Sequence, residues 1–274
     1  MPDTAEQPPA SAGPVALVGS GEYSEAMVDT DRRLLAGRPP RAVFLPTAAA
    51  EEGADTVAYW LDLGQRHFEL LAVEPVPLRV LTRQDADDPA LAAVVAGAGL
   101  VYLSGGNPGY LASTLRQTLV WEAIVAAWRT GAAVVGCSAG AAALSWVASD
   151  VRAERARRAV AVAGTTAEPI ATDESGEGAG DRPTGLALVD SLAVIPHFDR
   201  IVSWVPGITQ RYIVGVPSQV AIIGVDEDTA IVSSPGGRAP FQVTGRQAAW
   251  VINRDGSKAR YGAGDTIEAG DLLP

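Results

Sequence analysis

The chain has 274 residues, 47% of them hydrophobic, enough for one large α/β domain or two small ones. A formal charge of −11 with no basic stripe argues against nucleic acid as a partner, and no apolar run reaches the ~18 residues of a membrane helix. One cysteine excludes an intramolecular disulfide, and two histidines with no His/Cys cluster make a zinc mechanism improbable, so no metal or other cofactor is expected.

Residues 1–14 are polar and rich in proline, alanine and acids, without a basic leader or an apolar signal core. They are expected to form a disordered tail ahead of a single domain over 15–274. With the lone cysteine, this suggests a reducing, cytoplasmic setting. From Val15 the pattern alternates. Strands are expected at 15–19, 41–46, 77–82, 100–103 and 132–136, and helices over 24–35, 55–71, 89–96 and within 109–130. Such alternation indicates a mostly parallel sheet with helices on both faces. His67 lies in a segment of helical apolar spacing and many charges, and reads as a solvated or half-buried helix histidine. Gly19-Ser20-Gly21-Glu22 lacks the third glycine of a dinucleotide fingerprint and the Gly-Lys-Ser/Thr of a P-loop. It reads as a tight turn at a carboxyl end of the sheet, which puts Glu22 where a pocket would be lined.

The strand at 132–136 runs straight into Gly136-Cys137-Ser138-Ala139-Gly140, followed by small, helix-prone residues. Strand, sharp turn and helix with a serine at the apex is a nucleophile elbow; the competing reading is a glycine-rich turn that packs closely. Cys137 stands one position before the apex, where the side chain packs, and is read as a structural thiol. Further on, 152–158 interleaves arginine with glutamate and alanine as a solvated helix face, and the glycine-rich stretch 176–184 reads as a flexible loop at the rim of a site. Apolar residues 192–196 form a strand that delivers His197 at its end. A strand over 220–225 leads to the acidic turn Asp226-Glu227-Asp228 and a strand at 230–232. Short strands at 241–243, 248–253 and 265–267, with a hairpin turn at 254–257, give a β-rich end.

A serine hydroxyl needs a base, and a base needs an orienting carboxylate. With the elbow in place, His197 is the candidate base for Ser138. The acid follows in the order serine, histidine, acid, unlike the α/β-hydrolases. Alternation along the turn puts Asp226 and Asp228 on one side and Glu227 on the other, and the residues alone do not choose between them. The elbow context also makes the Ala139 amide, next after the nucleophile, a candidate oxyanion donor.

The motifs Gly136-Cys137-Ser138-Ala139-Gly140-Ala141, Pro196-His197-Phe198 and Gly224-Val225-Asp226-Glu227-Asp228-Thr229-Ala230 resemble the dipeptidase E and cyanophycinase family of serine peptidases. Val43-Phe44-Leu45-Pro46-Thr47-Ala48 and Leu100-Val101-Tyr102-Leu103-Ser104-Gly105-Gly106-Asn107-Pro108 add to the match, which covers roughly residues 14 to 235. The resemblance implies a flavodoxin-like, class I glutamine-amidotransferase-like fold and hydrolysis of a small peptide or related amide through an acyl-enzyme. It implies that Glu227 is the acid and that the Gly106 segment supplies the other oxyanion donor. Asn107, Glu22 and Arg200 are candidate substrate contacts. Pro196 and Pro108 depart from the family pattern at positions that bear on substrate carboxylate binding. A binding or regulatory protein of the same fold, and an esterase or acyltransferase, therefore remain alternatives. No nucleic-acid or membrane partner is expected, and a homodimer is left open.

Overall fold

The computed structural model describes residues 12–148 and 183–272. The expectations for the first eleven residues, for 152–158 and for most of 176–184 fall outside the described residues. In the first half the chain runs β1 (Val15–Val18), α1 (Val28–Leu35), β2 (Arg41–Leu45), α2 (Ala54–Leu70), β3 (Glu74–Pro77), α3 (Arg83–Ala86) and α4 (Pro89–Val94). It continues with β4 (Leu100–Leu103), α5 (Pro108–Leu115), α6 (Leu119–Arg129), β5 (Ala133–Cys137) and α7 (Ala139–Leu144). The second described segment holds β6 (Leu192–Ile195), α8 (Phe198–Trp204), α9 (Ile208–Gly215) and β7 (Ala221–Val225). It closes with β8 (Thr229–Ser234), β9 (Arg238–Gly245), β10 (Ala248–Ile252), β11 (Lys258–Gly262) and β12 (Thr266–Ile267). None of the described helices is long and apolar enough to cross a membrane.

The strands form two sheets. The larger has the order β12-β9-β8-β1-β5-β4-β2-β3. The run β1-β5-β4-β2-β3 is parallel out to the β3 edge, and β8, β9 and β12 extend it antiparallel from β1. The smaller has the order β11-β10-β7-β6, with β6 and β7 parallel. Parallel strands buried on both faces should be apolar at every position, with successive side chains entering opposite layers. In β1, Val15 and Leu17 face one core cluster while Ala16 and Val18 face the other. The same alternation divides Val43 and Leu45 from Ala42 and Phe44, and Val101 and Leu103 from Leu100 and Tyr102. Helices α5, α6 and α7 cover the first face with Leu111, Leu115, Ile124, Trp128 and Leu144. Helices α1 and α2 cover the second with Leu34, Leu35 and Phe68. A third cluster seats α8 and α9 on the smaller sheet through Phe198, Ile201, Ile208 and Tyr212.

The mixed, mostly parallel sheet is the α/β architecture expected from the alternation. Several elements differ from expectation. The third strand is not at 77–82 but at Glu74–Pro77. Pro75 and Pro77 suppress a strand reading because they lack an N–H. Yet β3 is an edge strand paired only with β2, where a missing donor is tolerated. Beyond it Leu78 and Val80 are buried, and the Leu78 amide still donates to the Phe44 carbonyl of β2 at 2.9 Å. Helices α8 and α9 were not anticipated, since Pro206 and Gly207 break the periodicity between them. The β-rich end is divided: β10 and β11 join β7, while β8, β9 and β12 widen the main sheet.

His67 also differs. It is 4% exposed, and its Nε2 lies 2.8 Å from Asp31 Oδ2. Tyr23 and Phe68 flank the ring at 5.6 and 5.2 Å. Burial lifts the Asp31 carboxyl above its ordinary range, and the hydrogen bond from His67 opposes that rise. Removing one partner of such a pair leaves the other buried without its bond. His67→Ala is therefore expected to cost roughly 3–5 kcal/mol in urea unfolding. A variant of unchanged stability would show that the pair contributes nothing net.

Candidate active site

The strand β5 passes directly into α7, and Ser138 is the junction, at φ 51°, ψ −107°. Its amide donates to the Val18 carbonyl at 2.9 Å, and its carbonyl accepts from Ala142 N at 3.1 Å. The flanking glycines answer a packing demand. A Cβ on Gly136 would lie 2.4 Å from the Gly140 carbonyl carbon, and one on Gly140 would lie 2.3 Å from the Leu103 carbonyl oxygen of β4. Any side chain at either position would push α7 off the sheet, and the serine with it.

His197 comes from the other sheet. It follows β6 in a left-handed conformation, φ 52°, ψ 38°, at the start of α8. Its amide donates to the Gly19 carbonyl at 3.2 Å, in the loop after β1. The next residue, Phe198, lies flat over Gly224, where a Cβ would come within 2.3 Å of the ring. Ile195 and Gly224 are register partners in β6 and β7, so this contact fixes the start of α8 against the sheet.

These placements bring Ser138, His197 and Glu227 together. Ser138 Oγ is 2.8 Å from His197 Nε2, and His197 Nδ1 is 2.9 Å from Glu227 Oε1. The histidine and glutamate side chains are each 25% exposed, so the relay is half-buried and open to one side. The neighbouring acids turn elsewhere. Asp226 accepts from Trp250 Nε1 at 3.0 Å, and Asp228 lies 3.6 Å from Arg246 Nη1. Burial raises the Asp226 carboxyl above its usual range, against the pull of the Trp250 bond.

Contacts around the glutamate were not legible in the sequence. Asp199 Oδ1 accepts from the Glu227 amide at 2.9 Å, and Gln247 Nε2 donates to the Glu227 carbonyl at 2.9 Å. Asp199 stands two residues after the histidine, a spacing that could have drawn attention to it. Gln247 arrives from β10's approach and carries no such signal. The Trp204 ring sits 5.8 Å from the His197 ring.

The loop after β4 passes close to the serine: a Cβ on Gly105 would lie 3.4 Å from Ser138 Cβ. Gly106 has φ 142°, and Asn107 N donates to the Ala48 carbonyl at 2.7 Å. Among the described residues, the Gly106 and Ala139 amides donate to no other group. The three candidate substrate contacts have other engagements. Asn107 caps α5, its Oδ1 accepting from Tyr110 N at 3.0 Å, and its Nδ2 donates to Glu51 at 3.0 Å. Arg200 Nε lies 3.3 Å from Glu227 Oε2 and 3.5 Å from Asp199 Oδ2. Glu22 is 7% exposed, its oxygens accepting from Gly105 N and Cys137 Sγ. Among the described residues no group of three or more His, Cys, Asp or Glu could hold a metal ion.

The sequence model of peptidase family S51 matches residues 15–237. No curated protein matches the chain. A crystal structure of a peptidase from an acI-B1 Actinobacterium is similar, at 31% identity and TM-score 0.77, over 94% of this chain and 97% of that one. The 1.5 Å structure of a putative peptidase E protein from Listeria monocytogenes EGD-e shares the fold, at 20% identity and TM-score 0.55, over 85% of this chain and 98% of that one.

The seat of the histidine can be tested apart from chemistry. Gly224→Ala is expected to displace the Phe198 ring, lower stability by about 1–3 kcal/mol in chemical denaturation, and shift the start of α8 in a structure of the variant. Parental stability with Phe198 unmoved would show that this contact does not seat His197.

Proposed function

The chain belongs to peptidase family S51 and is a serine peptidase, and on that premise we propose that it cleaves a small peptide or a related amide through an acyl-enzyme formed on Ser138. The observation that carries this reading is the continuous hydrogen-bond relay from Ser138 Oγ through His197 to Glu227. Neutral His197 takes the hydroxyl proton on Nε2 as Oγ attacks the substrate carbonyl carbon. The carbonyl oxygen becomes an oxyanion, received by the amides of Gly106 and Ala139. As the tetrahedral species collapses, the C–N bond breaks and His197 passes its proton to the departing amine. Water then enters, gives a proton to His197, and attacks the acyl carbon. Collapse of the second tetrahedral species releases the carboxylic acid and returns the proton to Ser138 Oγ.

Glu227 accepts from the Nδ1–H of His197, which fixes the tautomer that presents a bare Nε2 to the serine and stabilises the imidazolium while it exists. Arg200, against the second oxygen of Glu227, steadies that carboxylate. The serine proton can be accepted only by neutral imidazole, so activity falls as the medium is made acidic. The scissile bond is an amide in this reading. An ester would be attacked by the same groups, and profiling against dipeptide and ester libraries separates the two.

Ser138→Ala, assayed on the best substrate from that profile, is expected to lower kcat by about 10⁶ while leaving the fold intact. Glu227→Gln is expected to lower kcat by about 10³ to 10⁴. Asp226→Asn and Asp228→Asn should have much smaller effects. Near-parental turnover by purified Ser138→Ala would sink the assignment. A larger loss for Asp226→Asn than for Glu227→Gln would move the acid one position.

A further inference from the structure

We propose that Glu22 is a positioning residue for the reaction, a buried clamp that holds the oxyanion-binding loop against the nucleophile strand. The inference rests on the acyl-transfer reading of Ser138 above. The carboxylate spans two elements. Oε1 accepts from Gly105 N at 2.9 Å, and Oε2 accepts from Cys137 Sγ at 3.0 Å. Gly105 immediately precedes Gly106, and Cys137 immediately precedes Ser138. One side chain thus grips the residue before the proposed oxyanion donor and the residue before the proposed nucleophile.

The need for a clamp follows from the chain. Gly105 and Gly106 are consecutive, so the peptide plane between them lacks the side-chain restraint that would hold it in one orientation. That plane carries the Gly106 N–H. The structure fixes it from both sides: Gly105 N is bound to Glu22, and Asn107 N is bound to the Ala48 carbonyl at 2.7 Å. A flip of the Gly106 amide would have to work against both anchors. The adjacent residue reinforces the grip, since the Tyr23 hydroxyl is 2.9 Å from Ser104 Oγ. Tyr23 has φ 60°, and Glu22 and Tyr23 are both buried.

The Cys137 end of the clamp has a persistent donor. Burial and the Glu22 carboxylate push the Cys137 thiol well above its ordinary range, so it keeps its proton and donates. A Cβ on Gly105 would lie 2.7 Å from Glu22 Oε1, so the carboxylate reaches the loop only because that residue has no side chain. The buried carboxylate is therefore a support under the catalytic loop and not a lining of the substrate pocket.

The test compares Glu22→Gln with Glu22→Asp, both checked for folding by circular dichroism and assayed for kcat and KM on the same substrate as the parent. Gln keeps the length and an oxygen that can accept from Gly105 N, so kcat should stay within about tenfold of the parent. Asp keeps the charge but is one methylene too short to bridge both partners. It should lower kcat by about 10², the scale of losing one oxyanion donor, with little change in KM. Parental kcat in Glu22→Asp, or a Glu22→Gln variant as impaired as Glu22→Asp, would overturn the clamp. A change confined to KM would overturn it too, in favour of direct substrate contact. Ser138→Ala run in parallel separates this from the parent reading: an active Ser138→Ala defeats the acyl-enzyme itself, whereas an inactive one beside a fully active Glu22→Asp defeats only the clamp.

Discussion

Ser138 is held at a positive φ that a residue with a Cβ adopts only at a cost of order 1–3 kcal/mol, and the site is arranged around keeping it there. The strain is offset locally. Its amide is tied to Val18 in β1, its carbonyl opens α7, and Gly136 and Gly140 let helix and strand approach to a distance that no side chain would permit. Because β5 lies between β1 and β4, the serine emerges at the carboxyl edge of the parallel strands, where the loops after β1, β2 and β4 gather. The short, small-residue helix that follows cannot swing away, since all of its residues from Ala139 to Leu144 are buried.

The partner groups come from a different sheet, so the site depends on how the two sheets are joined. The loop after β1 is the common ground. Gly19 accepts from His197 N and donates to the Thr229 carbonyl, while Ser20 accepts from Asp228 N. These bonds tie the histidine and the C-terminal end of the acidic turn to the same short loop, next to the strand that anchors Ser138. Glu22 in that loop then reaches down to Gly105 and Cys137. Serine, histidine, the acidic turn and the glycine loop are thus all referred to one stretch of chain, residues 18 to 22. Around Glu227, a ring of Asp199, Arg200 and Gln247 holds backbone and carboxylate in place.

Much of this was legible in the residues because the signals are local. An apolar run feeding Gly-x-Ser-x-Gly announces a strand, a turn and a helix without long-range information, and alternation of strands and helices announces the layered sheet. The His197 strand end was readable for the same reason. What was not readable depends on pairing across long separations. Nothing local marks His67 as the partner of Asp31, since they are brought together by packing of α2 against α1's neighbourhood. The edge strand at Glu74–Pro77 was hidden by its prolines, which only its place at the sheet margin makes acceptable. Glu22 could be placed at a carboxyl end of the sheet, but the direction of its side chain depended on a thiol 115 residues away. The choice of Glu227 over its neighbours came from family likeness, because alternation along a turn gives two faces without saying which is inward.

The central claim is that Ser138 forms the covalent intermediate with its oxyanion held by Gly106 and Ala139. A crystal structure of the protein after reaction with a fluorophosphonate tests it most directly. The account predicts phosphorus bonded to Ser138 Oγ, with the phosphoryl oxygen within hydrogen-bond distance of both the Gly106 and Ala139 amides and His197 Nε2 beside the adduct. An adduct on Cys137 or on another serine would contradict it, as would a phosphoryl oxygen on Ser138 that points away from Gly106.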